Sequence, residues 1–246
     1  MWELSFLSNY LTRKLIELGV GLMIKELLTR LFGNRDASPA MTTNETELHK
    51  ETTTMTTYTI FGTGSMATAI AGVLTKGGAT VEHIGSAESA TATINGSVVV
   101  LAVPYPAVAD IIGNHRAALA GKTIIDITNP LNFETFDELV VPAGSSATAE
   151  IQAQLPDSQV LKAFNTNFAG TLSAGTIGDI TTTVLVAGDD DAAKKGLIRD
   201  INAGGLDALD AGSTRRAHEL EAVGFLQLTL AGSEKISWTG GFGLVK

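Results

Sequence analysis

Tyr58-Thr59-Ile60-Phe61-Gly62-Thr63-Gly64-Ser65-Met66-Ala67-Thr68-Ala69-Ile70-Ala71 is the stretch on which the reading of this chain turns. A short β-prone run reaches a glycine turn, and beyond it Met66, Ile70 and Leu74 recur at helical spacing. The pattern is the G-x-G-x-x-A form of the dinucleotide turn. Gly62 bends the chain, Gly64 leaves bare backbone for a pyrophosphate, and Ala67 lets helix and strand pack closely, so that phosphate meets free N–H groups at the helix N-terminus. The opposing reading is a glycine-rich turn in some other α/β protein; a second strand, Thr80 to Ile84, beyond the helix favours the cofactor site.

Working outward, the downstream chain alternates strands and helices. The remaining strands are expected at Ser97 to Val103, Lys122 to Thr128, Gln159 to Phe164 and Thr182 to Ala187, with Thr59 to Gly62 as the first, and several are the continuous apolar runs of buried parallel sheets. Helices are expected near Ala107 to Ala120, Ser146 to Leu155, Asp190 to Ile201 and Ser213 to Leu230. The fold class is therefore α/β: a doubly wound, mostly parallel Rossmann-like sheet with a small C-terminal helical portion. Residues 85 to 97, GSAESATATINGS, have room for a short turn of helix but not for a helix, a strand and a second crossover. The sheet should thus be shortened on the adenine side.

Upstream, residues 1–32 carry a leucine stripe interrupted by Lys14, Glu17, Lys25, Glu26 and Arg30, an amphipathic helical extension and not a membrane span or secretory signal. It reads either as a helix that docks a partner or a membrane surface, or as an accessory extension ahead of a natural start at Met41 or Met55. Residues 33–57 are polar, Thr-rich and aperiodic, a flexible linker. The oxidoreductase domain is expected over 58–246, with a C-terminal cap from about residue 189.

A net charge of −9 argues against nucleic acid and anionic membrane surfaces as main partners, since both are held through basic patches. The absence of cysteine removes disulfides, thiolate metal sites and thiol nucleophiles, and fits a cytoplasmic protein. The four histidines lack ligand spacing, so no metal is expected.

Ligands of open parallel sheets lie beyond the C-terminal strand ends. Those ends deliver Val103-Pro104-Tyr105, Asn129-Pro130 and Asn165-Thr166, although Asn and Thr also serve turns and caps. Lys162 and Asp126 read as structural, Lys162 with a solvent-facing alternative. Asp189-Asp190-Asp191 reads as a helix cap, and Ser213 as the cap of the last helix. Arg215 and Arg216, in that helix's first turn, need Asp207, Asp210 or Glu219, or else an anionic substrate.

Taken together, FGTGSMATAIA, VVVLAVPYPAV, GKTIIDITNPLN, VLKAFNTNFAGTL, TTVLVAGDD, DAGSTRRAHELE and GGFGLVK resemble the NADPH-dependent reductases of the deazaflavin coenzyme F-420, over about residues 58–246. The resemblance implies a cytoplasmic NAD(P)H-dependent oxidoreductase. It further implies hydride transfer between NADPH and a deazaflavin acceptor, without a catalytic side chain, and often a homodimer. By position it assigns Gly62, Thr63, Gly64, Ser65 and Met66 to the pyrophosphate turn. Val103, Pro104 and Tyr105 go to the nicotinamide side, and Asn129, Pro130, Asn165 and Thr166 to the border of the ring-stacking site. Family members commonly carry Ser-Arg after the second strand to hold the NADP 2′-phosphate. Here Gly85-Ser86-Ala87 stands instead, with no Lys or Arg between Lys76 and Arg116. Gly85 and Ser86 repel neither cofactor, so the expected NADPH preference is modest, with Ser86 as the donor and NAD as a second cofactor. Rival readings are an NAD(P)H-dependent imine or carbonyl reductase, and a non-catalytic nucleotide sensor or scaffold.

Overall fold

The computed structural model of the chain describes residues 55–245. The expected N-terminal helix and nearly all of the expected linker lie outside the described residues.

Strand β1 (Thr57–Phe61) runs into the glycine turn and helix α1 (Ser65–Lys76), and β2 (Thr80–Ile84) follows. Next come β3 (Val98–Leu101), α2 (Val108–Leu119) after a 3-10 turn at Tyr105–Ala107, β4 (Thr123–Asp126), α3 (Ala147–Gln154) and β5 (Gln159–Lys162). The last third holds α4 (Ala169–Ala174), the two-residue strands β6 (Thr176–Ile177) and β7 (Ile180–Thr181), β8 (Thr183–Ala187), α5 (Asp191–Ala203), β9 (Asp207–Gly212) and α6 (Ala217–Gly232).

Seven strands form one sheet in the order β2-β1-β3-β4-β5-β8-β9, and β6 and β7 make a separate hairpin. All neighbours are parallel except β5 and β8. Period-two alternation splits the core between the two sheet faces. Tyr58, Ile60, Val100 and Ile125 pack against Ile70 and Leu74 of α1 and Leu197 and Ile201 of α5. Phe61, Val99, Leu101 and Ile124 pack against Ile111 and Ile112 of α2 and Ile151 of α3. Helices on both faces of a mostly parallel sheet make this the doubly wound Rossmann-like class.

β2 is the edge, as the shortness of residues 85–97 requires. Strapping takes the place of the missing strand. The carboxylate of Glu82 accepts from Thr59 Oγ1, from Asn95 Nδ2 at 2.9 Å and from Asn95 N at 3.1 Å, and Thr59 Oγ1 in turn accepts from Gly96 N at 2.8 Å. Burial raises the Glu82 pKa, but these hydrogen bonds outweigh it and hold the carboxyl below its usual range. Ile94 tucks beneath this loop into the second core.

The structure adds β9, α4 and the β6–β7 hairpin to the expected elements. Asp207-Ala208-Leu209-Asp210-Ala211-Gly212 carries two aspartates and little apolar bulk, so it lacks a strand signal, yet β8 supplies a parallel partner along its length. The start of the last helix is also corrected. Ser213 precedes a 3-10 turn, Thr214–Arg216, makes no side-chain cap bond, and α6 begins at Ala217. The arginines therefore lie outside the α-helix: Arg216 pairs with Glu219 at 3.0 Å, while Asp210 pairs with Lys194 at 2.9 Å. Asp190 does cap its helix, accepting from Ala193 N at 2.7 Å.

Candidate functional site

The C-terminal ends of β1, β3, β4 and β5 open onto one cleft. Its larger lobe, about 530 Å³, is lined by Gly64, Ser65, Met66 and Ala67, by Ala102 to Tyr105, by Ile127 to Asn129, and by Phe133 and Leu228. A smaller lobe, about 350 Å³, shares Ser65, Met66, Ile127, Asn129 and Leu228 and extends over Asn165, Asn167, Phe168, Ala169, Gly170 and Trp238. Both volumes are within the range of small-ligand sites.

The two turn glycines do different work. Gly62 has φ +124, and a Cβ there would stand 2.3 Å from Ala102 O, so only glycine lets β1 cross so close to the end of β3. Gly64 has ordinary extended backbone, and a Cβ on it would meet nothing within 4 Å. Its open side faces the larger lobe. The first N–H groups of α1, on Ser65, Met66 and Ala67, have no side-chain cap and no backbone acceptor among the described residues. Free donors and the positive end of the helix dipole thus point at a cleft wall that has no Cβ in the way.

On the opposite side, Phe164 sits at φ 64 with its ring fully buried. This left-handed step, uncommon for a bulky residue, swings Asn165-Thr166-Asn167 off the end of β5. Asn165 and Asn129 lock together: Asn165 Nδ2 donates to Asn129 Oδ1 at 2.9 Å and Asn129 Nδ2 to Asn165 O at 2.9 Å. Helix α6 closes over the pair. Asn165 Nδ2 also donates to Leu220 O at 2.8 Å, and a Cβ on Gly224 would stand 2.4 Å from Asn129 Oδ1. Further along, Gln227 Nε2 donates to Thr166 O at 3.1 Å while its Oε1 accepts from Phe242 N at 3.2 Å. Trp238 packs against Phe168, ring centroids 5.0 Å apart and planes tilted by 55°.

Beneath the floor lies a fully buried ion triad. Lys162 Nζ is 2.7 Å from Asp126 Oδ2 and 2.8 Å from Glu221 Oε1, all three side chains having 0% exposure. It also donates to Thr128 O at 2.7 Å. Asp126 accepts from Thr128 N at 2.8 Å and Thr148 Oγ1 at 2.8 Å, and Glu221 accepts from Ala147 N at 3.0 Å. Burial, the largest influence, pushes the Glu221 carboxyl up; Lys162 draws it back and Asp126 adds to the rise. The solvent-facing alternative for Lys162 is overturned: the triad ties β4, β5, α3 and α6 together under the Thr128-Asn129 segment. Glu221 escapes a sequence reading, although a lysine at Lys162 in an apolar strand, in register with Asp126, signals that a buried carboxylate must come from somewhere.

Of the residues singled out in the sequence, Gly64, Ser65, Met66, Val103, Pro104, Tyr105, Asn129 and Asn165 line the cleft. Gly62, Thr63, Ser86, Pro130 and Thr166 do not. Gly62 is occupied with backbone crossing. Thr63 and Ser86 are exposed at the outer edge of the glycine turn. Pro130 and Thr166 are buried, their carbonyls accepting from Val140 N at 2.7 Å and from Gln227. Phe133, Phe168, Leu228 and Trp238 join the lining from loops and the C-terminal segment, with no local sequence signal. Among the described residues, Tyr105 is the one titratable residue of the lining. Burial first, then the charges of Glu150, Asp126 and Glu221, raise its phenol pKa and keep it protonated.

No family model matches the chain. Over 157 residues it is 29% identical to the F420-dependent NADP reductase of Methanocaldococcus jannaschii, which covers 62% of this chain and 70% of that protein. Over 106 residues it is 37% identical to the metalloreductase STEAP3 of Rattus norvegicus, a stretch amounting to 43% of this chain and only 20% of that protein. In fold it matches the crystal structure of a protein from Arthrobacter sp. FB24 provisionally assigned as an F420-dependent NADP reductase. The TM-score is 0.67, covering 77% of this chain and 99% of that one at 23% identity. In sequence the chain is thus similar to an F420-dependent NADP reductase and in fold it shares the Rossmann-like sheet of the Arthrobacter protein, which makes it an oxidoreductase.

Proposed function

We propose that the cleft holds NAD(P)H with its pyrophosphate on the Gly64 turn and its nicotinamide along Val103 to Tyr105, and that a flat redox acceptor of the deazaflavin F-420 type occupies the adjoining lobe. The observation that carries this reading is the pairing of two connected lobes with a lining that, among the described residues, holds no carboxylate, histidine or lysine. Such a lining suits direct hydride transfer between stacked rings, in which proximity, orientation and exclusion of water are what the protein supplies. When bound, the reduced nicotinamide supplies the hydride. Gly64 and the free N–H groups of Ser65, Met66 and Ala67 take the phosphates. Ile127, Asn129 and Leu228 belong to the wall shared by both lobes, Asn165 lies on the acceptor side, and Phe168 with Trp238 offers an aromatic edge to the acceptor.

The alternative of imine or carbonyl reduction rests on Tyr105, whose protonated phenol is, among the described residues, the one proton donor of the lining with an ionisable side chain. Names of relatives support NADP as a cofactor and F420 as an acceptor, and the proposal adopts both, with NAD also accepted. A cytoplasmic location, a homodimer and a docking role for the N-terminal segment belong to the same proposal; among the described residues no helix is long and apolar enough to cross a membrane.

The test follows NADPH and NADH oxidation spectrally against a panel of deazaflavin, flavins, ferric chelates and small imines. Turnover with deazaflavin, and delivery to it of deuterium from stereospecifically labelled NADPH, is the expected result. Turnover confined to imines would replace this reading with the alternative.

A further inference from the structure

At the end of β2 the chain itself offers only Gly85 and Ser86, neither of which carries charge. The fold puts a charge there. A Cβ built on Gly85 would stand 2.9 Å from Glu88 Oε2 and 3.9 Å from the γ-methyl of Thr63, so the Glu88 carboxylate lies back over Gly85 beside the glycine turn. Residues 86–91 form a turn, and behind Glu88 it is closed by Thr91 N and Ala92 N, which donate to Glu88 O at 3.0 and 2.9 Å. Gly62 N donates to Ile84 O at 2.9 Å and locks this corner to β1.

The carboxylate is exposed and has no hydrogen-bond or ion partner among the described residues. No lysine or arginine occurs between Lys76 and Arg116 to offset it, and both of those point elsewhere: Lys76 lies against Gly205, and Arg116 donates to Gln154 O. Two histidines border this corner, each engaged with a backbone carbonyl: His83 Nδ1 is 2.8 Å from Gly62 O and His115 Nε2 is 2.5 Å from Ser89 O.

An acid at the end of the second strand of such a sheet accepts hydrogen bonds from the adenosine ribose hydroxyls and repels a 2′-phosphate. We infer that Glu88 fills that role by folding back over Gly85, so that this chain binds NADH at least as well as NADPH. The inference rests on the dinucleotide reading of the cleft and sharpens it. It also revises the modest NADPH preference drawn from Ser86, because the acid arrives from four residues beyond the strand end and lies over the glycine that was read as neutral.

Dissociation constants of NADH and NADPH, measured by calorimetry at low salt, test it on the whole protein. Wild type should bind NADH as tightly as NADPH or more tightly. Glu88→Gln should move the affinity ratio toward NADPH by about fivefold or more, an effect that added salt narrows. Asp157→Asn, the same charge change on an exposed turn at the opposite end of the strands, should leave the ratio where it was. A wild-type preference for NADPH beyond about tenfold, or a ratio that Glu88→Gln does not move, overturns the role of Glu88 while leaving the dinucleotide site standing. If neither nucleotide binds a cooperatively melting wild type, the dinucleotide reading itself falls and takes this inference with it.

Discussion

Replacing Lys162 by Met removes the cation from between two carboxylates that have no access to water. Asp126 and Glu221 are both at 0% exposure, with Lys162 Nζ 2.7 and 2.8 Å away. Methionine fills much the same volume without charge, so the loss is electrostatic and not a cavity. Stripping one partner from a buried ion pair typically costs about 3–5 kcal/mol, since the remaining charge stays desolvated. At roughly 2–4 °C per kcal/mol for a domain of this size, the melting temperature should fall by roughly 6–20 °C. The pH dependence is the sharper signature. The Glu221 pKa is raised in the folded state, so the folded protein holds this proton more tightly than the unfolded one, and stability is lost as pH rises from the ordinary carboxyl range through the raised value. Without Lys162, which draws that pKa down, the rise grows. The variant should therefore lie closer to wild type in mild acid than at neutral or alkaline pH. Calorimetric melting of both proteins across that range is the assay. A variant that melts with wild type at neutral pH, or a deficit that does not change with pH, would refute the account of the triad as a buried, charged tie.

Other substitutions separate the parts of the site. Gly64→Val should abolish nucleotide binding with little change in melting temperature, because its side chain meets no protein atom within 4 Å at Cβ and intrudes only on the ligand's space; titration and melting of one sample check both halves. Gly62→Ala should do the reverse and lower stability by at least about 1–3 kcal/mol, the cost of a strained backbone, since φ is +124 and Ala102 O lies 2.3 Å from the new Cβ. Tyr105→Phe should keep turnover with deazaflavin within about tenfold; a loss of two to four orders of magnitude, typical of removing a general acid, would point to imine or carbonyl reduction. Removal of residues 1–54 should leave a cooperatively melting protein that NADPH still stabilises, and an insoluble product would show that the leucine stripe belongs to a core or an interface.

Local signals in this chain carried a great deal. The glycine turn, the apolar strands and the shortness of residues 85–97 determined a doubly wound sheet with a clipped adenine edge, because these features depend on backbone conformation, side-chain period and chain length within a few residues. The strand ends likewise pointed to Val103, Tyr105, Asn129 and Asn165 as neighbours in one cleft. The tertiary structure decided what depends on residues far apart, or on how a short loop turns. Glu221 reaches Lys162 only because α6 packs across β5, and Leu228 and Trp238 close the cleft only because the C-terminal segment returns over α4. β9 is a strand because β8 offers it hydrogen bonds, not because Asp207 to Gly212 favours one. Glu88 lies three residues beyond Gly85, and a linear reading gives no sign that its carboxylate returns over that glycine. The turn over residues 86–91 sets that position, and a turn of that kind is decided by loop packing that no residue pattern spells out.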